Sequence, residues 1–350
     1  MSIIYFAIIL GVLVSVHEFG HFLLAKINGI RVLEFSIGMG PQLVHTKRGE
    51  TVYSLRLLPI GGACMFDGED GIVRGDTSPD EHCFQNAGVW SRIITVLAGP
   101  VFNFILAFVI SVILVNATET DVPLIVEVTE ESPAEQAGLL VGDMIVSING
   151  EKVYLYREVQ MISQLNEAGD TLELVVDRDG TYYDIAVNPS YSEEDGRYLM
   201  GILGGEYIQM TGLEVFEYAF YEVRYAASSV YKSLLLMLKG QVGSEDVAGV
   251  VGIANMVEET YEIVQPSGFI YVLYTMMSLT AVLSVNLGIV NLLPIPALDG
   301  GRLVFLIVEV FRGKPISPEK EGYVHAVGFI FLMLLMVFLL FNDLKNIFFL

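Results

Sequence analysis

The sequence predicts a membrane protein with four transmembrane helices and a folded domain inserted between the second and the third helix. Of the 350 residues, 53% are apolar and 17% are charged, whereas soluble domains carry about 25% charged residues. The mean hydropathy is +0.57. Apolar residues are concentrated in four runs that reach or approach the roughly 20 residues a helix needs to cross a bilayer, namely 3–25, 93–115, 269–296 and 325–341.

The first run is predicted to stay in the protein as a helix and not to be removed as a signal peptide. No basic segment precedes it, and His17 and Glu18 interrupt it where signal peptidase requires small residues. A further apolar stretch, 213–239, contains several charged side chains, which are costly in hydrocarbon. We therefore predict a helix at the outer membrane surface there, with a spanning helix as the alternative.

The distribution of charge predicts which segments face the cytoplasm. Lysine and arginine recur in 26–92 and in the loop predicted at 302–320, and cytoplasmic loops are enriched in these residues. In 117–268 acidic residues outnumber basic ones several-fold, and a long domain is translocated whatever its charge. Both termini are therefore predicted outside.

The net charge of -22 argues against nucleic-acid binding through a basic face.

The segment between the second and third runs has the pattern of a small α+β domain. Asp179-Gly180 is a hairpin turn signal, and residues 156–167 have helical apolar spacing. Residues 131–150, ESPAEQAGLLVGDMIVSING, resemble the PDZ family over about 124–190. PDZ domains bind an extended chain terminus at a sheet edge; the alternative is a domain that only shields the membrane site. Strands are predicted at 124–129, 144–149, 171–178 and 182–187.

These patterns divide the chain into four regions. Residues 1–116 hold the first two transmembrane helices and a cytoplasmic hairpin loop, and 117–192 form the extracytoplasmic PDZ domain. Residues 193–268 are an extracytoplasmic linker with the surface helix, and 269–350 hold the last two transmembrane helices. The fold class is therefore membrane α-helical, with a membrane-associated β-hairpin and an inserted α+β PDZ domain.

The strongest chemical signal is His17-Glu18-Phe19-Gly20-His21, inside the first predicted span. Residues at i and i+4 share one face of a helix, so both histidines can bind one metal ion. Glu18 stands beside them and can take a proton from water that zinc makes acidic. Such groups are costly in hydrocarbon unless they are paired or bind a metal. The alternative is a hydrogen-bonded cluster without a metal.

A third metal ligand is predicted at the end of the third span, because a catalytic zinc ion usually has three protein ligands. The run ends in Asn291-Leu-Leu-Pro294-Ile-Pro296-Ala-Leu-Asp299, and its prolines break the helix. Broken backbone at this depth is tolerated where it is buried in protein or lines a wet cavity. Asp299 is the best candidate; the alternative is a carboxylate in a loop at the helix end.

The paired motifs HEFGH and NLLPIPALDGG resemble the site-2 protease family of intramembrane zinc metalloproteases, nearly end to end. With one PDZ domain, the layout is similar to its bacterial regulator-of-sigma-E protease branch. The resemblance implies His17, His21 and Asp299 as ligands of one Zn²⁺ and Glu18 as general base. It implies Asn291 as a contact to the substrate or oxyanion, and a cap on the broken helix is the alternative.

The same resemblance implies substrates, location and partners. Family members cleave transmembrane segments of anti-sigma factors and remnant signal peptides, usually after another protease has removed the outer part. The expected location is the bacterial cell (inner) membrane, with the active site near the cytoplasmic face. Two other functions remain open: a non-catalytic membrane adaptor that binds client termini through its PDZ domain, and a transporter, which broken helices also suit.

A hairpin is predicted after the segment Ser36-Ile-Gly38-Met-Gly40-Pro41, which matches a GxGP segment of the family. Residues 42–47 and 51–58 alternate partly in polarity around a turn. Because a helical substrate must unwind before cleavage, a sheet edge near the zinc can capture the unwound strand, and we name Gly38 and Gly40 as substrate-binding candidates. The alternative is a purely structural hairpin.

Cys64 and Cys83 are expected to be reduced, structural thiols.

Overall fold

The structure is a computed structural model, and it describes residues 2–68, 82–241, 243 and 247–349. The chain divides into two compact units: a helical unit, Met1–Ile110 with Val230–Leu350, and a sheet unit, Ser111–Ser229. The helices are α1 Ser2–Ile27, α2 Val89–Ala117, α3 Pro133–Ala137, α4 Tyr156–Gln164, α5 Glu214–Leu238, α6 Val250–Val264, α7 Phe269–Leu292, α8 Asp299–Arg312 and α9 Pro318–Phe349. The strands are β1 Val32–Arg48, β2 Thr51–Phe66, β3 Thr120–Val128, β4 Met144–Ile148, β5 Glu151–Lys152, β6 Leu172–Arg178, β7 Thr181–Val187, β8 Ser190–Ser192, β9 Arg197–Leu199 and β10 Ile202–Ile208.

Within the described part of the chain, four helices are long and apolar enough to cross a membrane. They are Ser2–Ile27, Val89–Ala117, Phe269–Leu292 and Lys320–Lys345, which confirms the four predicted apolar helices. The helix α5, with its charged side chains, is not among these four.

The third span is shorter than its apolar run, and a second helix follows it. Helix α7 ends at Leu292, before Pro294 and Pro296, whose rings remove backbone donors and clash with a continuing helix. After six irregular residues the chain starts α8 at Asp299. We expected a loop between the last two spans; the amphipathic spacing of 299–312 instead forms a helix that buries Leu303 and Leu306.

The hairpin near α1 is longer than the sequence pattern predicts. Strands β1 and β2 pair antiparallel from Val32 with Phe66 to Arg48 with Thr51, and several register shifts interrupt the ladder. These irregularities, with Gly38 and Gly40 at positive φ, hide the alternation by which a strand is recognised. Beside α1, a Cβ at Gly62 would lie 3.1 Å from Cγ of Glu18, so β2 passes directly against that glutamate.

The sheet unit is a mixed domain with strand order β10-β3-β4-β6-β7, and α3 and α4 accompany the sheet. Its core is formed by buried aliphatic side chains such as Ile125, Ile145 and Leu174. The turn between β6 and β7 falls at Asp179 and Gly180, both at positive φ. Strand β10 pairs with β3 and lies beyond residue 192, where the predicted domain ended; Gly204 and Gly205 weaken its strand pattern.

Ion pairs join the first half of α5 to the rest of the sheet unit. Arg157, at the start of α4, pairs with Asp121 of β3 and reaches Glu222 of α5 at 3.0 Å. Arg224 of α5 lies 3.1 Å from Glu158 and donates to the Lys152 carbonyl at 2.7 Å. Two of the charged side chains that argue against a spanning helix, Glu222 and Arg224, therefore form contacts within this unit.

Candidate metal centre

Three ligand atoms from two distant parts of the chain converge in the helical unit. Nε2 of His17 lies 3.1 Å from Oδ2 of Asp299, and Nε2 of His21 lies 3.3 Å from the same oxygen. The two Nε2 atoms are 3.2 Å apart. The histidines are buried, and Asp299 is largely buried. Among the described residues, these three are the group of His, Cys, Asp and Glu side chains that could hold a metal.

The geometry of these three atoms fits a zinc ion. Ligands about 2.0–2.1 Å from a tetrahedral zinc ion lie roughly 3.3 Å from one another, close to the 3.1–3.3 Å observed here. Among the described residues, Oδ2 of Asp299 is buried and has no hydrogen-bond partner, although two ring nitrogens face it. A cation between the three atoms would satisfy them together, and the fourth position would remain for water or substrate.

The histidines are presented by α1 and backed by α2. Their spacing of four residues puts both rings on the buried face of α1, as predicted. Nδ1 of His21 donates to the Thr95 carbonyl at 2.9 Å, and Nδ1 of His17 lies 3.1 Å from Nδ2 of Asn103. Thr95 and Asn103 are both fully buried in α2. Each ring is therefore held on the side opposite its Nε2 atom.

Gly99 of α2 makes room for both rings. A Cβ at this position would lie 2.3 Å from Nε2 of His21 and 2.8 Å from Cε1 of His17. Both distances are far below an ordinary van der Waals contact, and the rings are fixed by hydrogen bonds. Only glycine can therefore occupy this position while the histidines keep their places.

Asp299 is placed by the broken connection between α7 and α8. The residue opens α8, and its neighbours Pro294 and Pro296 turn the chain back. Ala297 adopts φ 78°, which is rare for a residue with a side chain. Its N–H donates to Nδ1 of His325 in α9 at 2.9 Å, and this bond stabilises the unusual turn. His325 therefore supports the loop that carries the candidate ligand Asp299.

A buried ion pair fixes α8 against α2. Arg92 donates to both carboxylate oxygens of Glu309, at 2.5 Å and 3.1 Å. A bidentate pair of this kind defines orientation as well as distance. Because Asp299 and Glu309 lie in the same helix, the pair also helps to fix Asp299 relative to the helix that backs the histidines.

The other predicted residues are distributed around this centre. Glu18 is half-buried between α1 and the passing strand β2. Asn291 lies half-buried in the last turn of α7, one turn before the break. Gly38 and Gly40 lie in β1, and a Cβ at Gly38 would be 2.5 Å from the Leu58 carbonyl oxygen of β2. Gly38 therefore lets the two hairpin strands approach closely.

The two cysteines are free thiols outside the three-residue centre. Burial raises the pKa of the Cys64 thiol well above its usual value. The donor atoms of the centre are nitrogen and oxygen, as in many catalytic zinc sites.

Two histidines on an apolar helix and a carboxylate at the start of α8, with a glutamate beside the first histidine, form a donor set that is typical of zinc metalloproteases. The chain belongs to peptidase family M50, whose model matches residues 5–335. It is 32% identical to the regulator of sigma-W protease RasP of Bacillus subtilis, covering 99% of each chain. It is 33% identical to the zinc metalloprotease RasP of Bacillus licheniformis, again covering 99% of each chain.

Solved PDZ domains align with part of the chain. The PDZ domain of an SdrC-like protein from Listeria innocua covers 26% of this chain and 100% of its own, at 23% identity and a TM-score of 0.23. A TM-score of this size supports no conclusion about function. The protease assignment rests on the family and the relatives named above.

We predict that Gly99→Ala abolishes stoichiometric zinc binding, because the added methyl group occupies the space of the histidine rings. The measurement is zinc content per detergent-purified chain after metal loading. Gly88→Ala, just before α2, is the matched control, since its Cβ would be 3.9 Å from the nearest atom, Oγ of Ser91. A Gly99→Ala protein with wild-type helicity and full zinc content would show that the rings lie elsewhere.

Proposed function

We propose that this protease cleaves peptide bonds within or near transmembrane segments, with one zinc ion held by His17, His21 and Asp299 and with Glu18 as general base. The observation that carries the proposal is the convergence of three ligand atoms within 3.3 Å of one another inside a unit built from apolar helices. Neither an adaptor nor a transporter requires three converging metal-ligand atoms, and the family assignment does not favour either alternative.

In this proposal the protein's own side chains hold and move the protons. A bound zinc ion supplies a Lewis acid that makes water nucleophilic near neutral pH. Glu18 accepts a proton from the attacking water as the water oxygen bonds to the scissile carbonyl carbon. It then returns that proton to the leaving amine as the C–N bond breaks. The half-buried position of Glu18 beside His17 suits both transfers.

Asn291 is proposed to donate its side-chain amide to the developing oxyanion. It lies in the last turn of α7, just before the loop that leads to Asp299. A preorganised donor at the site of developing charge contributes a few kcal/mol, or roughly 10²–10³-fold in rate, in other hydrolases. The capping role for the broken helix remains the alternative.

The hairpin β1–β2 is proposed to hold the unwound substrate as an added strand. Strand β2 passes Glu18, so a segment paired with the free edge of the hairpin would lie beside the general base. Gly38 and Gly40 in β1 are the candidate substrate contacts. An extended segment also exposes the carbonyl that a helix keeps hydrogen-bonded.

The sheet unit is proposed to be an extracytoplasmic PDZ domain, and both termini are proposed to lie outside. Lysine and arginine in the hairpin support a cytoplasmic position for that segment, since cytoplasmic loops are enriched in these residues. The helix α5 is proposed to lie at the outer membrane surface.

Substrates are proposed to be anti-sigma-factor-like membrane proteins or remnant signal peptides, cleaved after another protease has acted, since one relative is named a regulator of sigma-W protease.

We predict that Glu18→Gln retains zinc and lowers the rate of cleavage at least about 100-fold, because the amide cannot accept the proton of water. The assay is cleavage of a membrane-inserted model segment by detergent-purified protein, with metal content measured in parallel. Glu259→Gln, at an exposed position of α6, is the matched control and should cleave normally. Undiminished cleavage by Glu18→Gln would remove Glu18 from the mechanism.

Cysteine labelling tests the proposed orientation in a background without Cys64 and Cys83. Thr181→Cys, exposed in the sheet unit, should react with a membrane-impermeant maleimide in intact cells. Arg48→Cys, exposed at the hairpin turn, should react only after the cells are permeabilised. The opposite pattern would place the sheet unit in the cytoplasm.

A further inference from the structure

One face of α2 contacts both histidine rings. Thr95, Gly99 and Asn103 are spaced four residues apart and therefore lie on the same side of the helix. Thr95 contacts His21, Asn103 contacts His17, and Gly99 lies against both rings. The sequence pattern alone predicts no role in the site for any of the three.

The contact of Thr95 defines the tautomer of His21. The Thr95 carbonyl oxygen can only accept a hydrogen bond, so Nδ1 of His21, 2.9 Å away, carries the ring proton. In a neutral ring, Nε2 then has a lone pair, and this lone pair faces Asp299. A backbone carbonyl on the far nitrogen is a common partner of a metal-binding histidine.

The ring proton of His17 depends on a different partner. If Nε2 of His17 binds a metal, its Nδ1 carries the proton and needs an acceptor. Nδ2 of Asn103 lies 3.1 Å from that Nδ1, whereas Oδ1 of Asn103 is buried and, among the described residues, has no hydrogen-bond partner. A half-turn of the amide exchanges the two atoms and supplies the acceptor.

The two amide orientations correspond to two states of the centre. With Nδ2 towards the ring, the amide donates to Nδ1, and the ring proton on Nε2 faces Asp299 at 3.1 Å. With Oδ1 towards the ring, Nδ1 donates to the amide, and the lone pair of Nε2 is available to a cation. The first state is a metal-free hydrogen-bonded cluster and the second is a ligand set.

We propose that Asn103 is a positioning residue for the zinc site, which accepts the Nδ1–H of His17 through Oδ1 and so fixes the tautomer that binds metal. The inference rests on the zinc site proposed above. Asn103 is 0% exposed, so its side-chain amide is enclosed by protein groups.

The test separates an acceptor at position 103 from a donor. Asn103→Asp can accept from Nδ1–H but offers no N–H, and Asn103→Leu, of similar size, can do neither. Zinc affinity is measured by competition with a chelating dye on the full chain in detergent. We expect Asn103→Leu to weaken zinc binding about 10–100-fold and Asn103→Asp to bind within a few-fold of wild type or more tightly.

The matched control removes a hydrogen bond to the backbone carbonyl of Asn103 and leaves its side-chain amide unchanged. Ser284→Ala loses the bond to the Asn103 backbone and should leave zinc affinity unchanged. If Asn103→Asp is as weak as Asn103→Leu, the donor is what matters and the proposal is wrong. Wild-type affinity in Asn103→Leu would also overturn it. A wild-type chain that binds no zinc would instead contradict the proposed function itself.

A spectroscopic readout addresses the tautomer directly. The chain has five histidines, so ¹⁵N-histidine spectra of the full protein can be assigned by single substitutions. In the zinc-loaded wild type, the proton of His17 should be on Nδ1, and Asn103→Asp should keep it there. A proton on Nε2 of His17 in the zinc-loaded protein would contradict the proposal, whatever the affinities.

Discussion

Three electron-pair donors face one another in an apolar surrounding, and their mutual repulsion must be offset. Nε2 of His17, Nε2 of His21 and Oδ2 of Asp299 lie within 3.3 Å of one another and are removed from bulk water. Burying such groups without a partner costs several kcal/mol. A divalent cation among the three atoms would attract all of them, whereas without a cation a ring proton on Nε2 of His17 has to compensate the repulsion.

Much of the helical unit serves to keep these atoms together. Helix α1 supplies two candidate ligands, α2 supplies the contacts to their rings, and the broken segment after α7 supplies the third candidate. That segment returns because Pro294 and Pro296 end one helix and Asp299 begins another. Two supports fix its position, the ion pair between Arg92 and Glu309 and the bond from Ala297 to His325.

The sequence was sufficient for features that depend on local spacing. The histidines at i and i+4, the four apolar runs and the helix-breaking prolines each follow from neighbouring residues, and the structure confirms the four apolar helices. Asp299 was predicted from the depth of its segment in the membrane, and the structure brings it to the histidines. Its role as a ligand stays a prediction.

Features that depend on which helices are adjacent could not be predicted. Nothing near Gly99 or Asn103 in the sequence tells that α2 packs behind His17 and His21. His325 likewise lies 28 positions along the chain from Ala297, the residue whose turn it stabilises. Strand β10 was missed because Gly204 and Gly205 interrupt its pattern, and it is recognised only through its pairing with β3.

X-ray absorption at the zinc edge of the detergent-purified, zinc-loaded protein tests the central claim most directly. A site formed by two imidazoles and a carboxylate predicts only nitrogen and oxygen neighbours at about 2.0–2.2 Å, with the outer-shell scattering of two imidazole rings. A sulfur neighbour at about 2.3 Å would mean that Cys64 or Cys83 binds the metal, and the account of the site would be wrong.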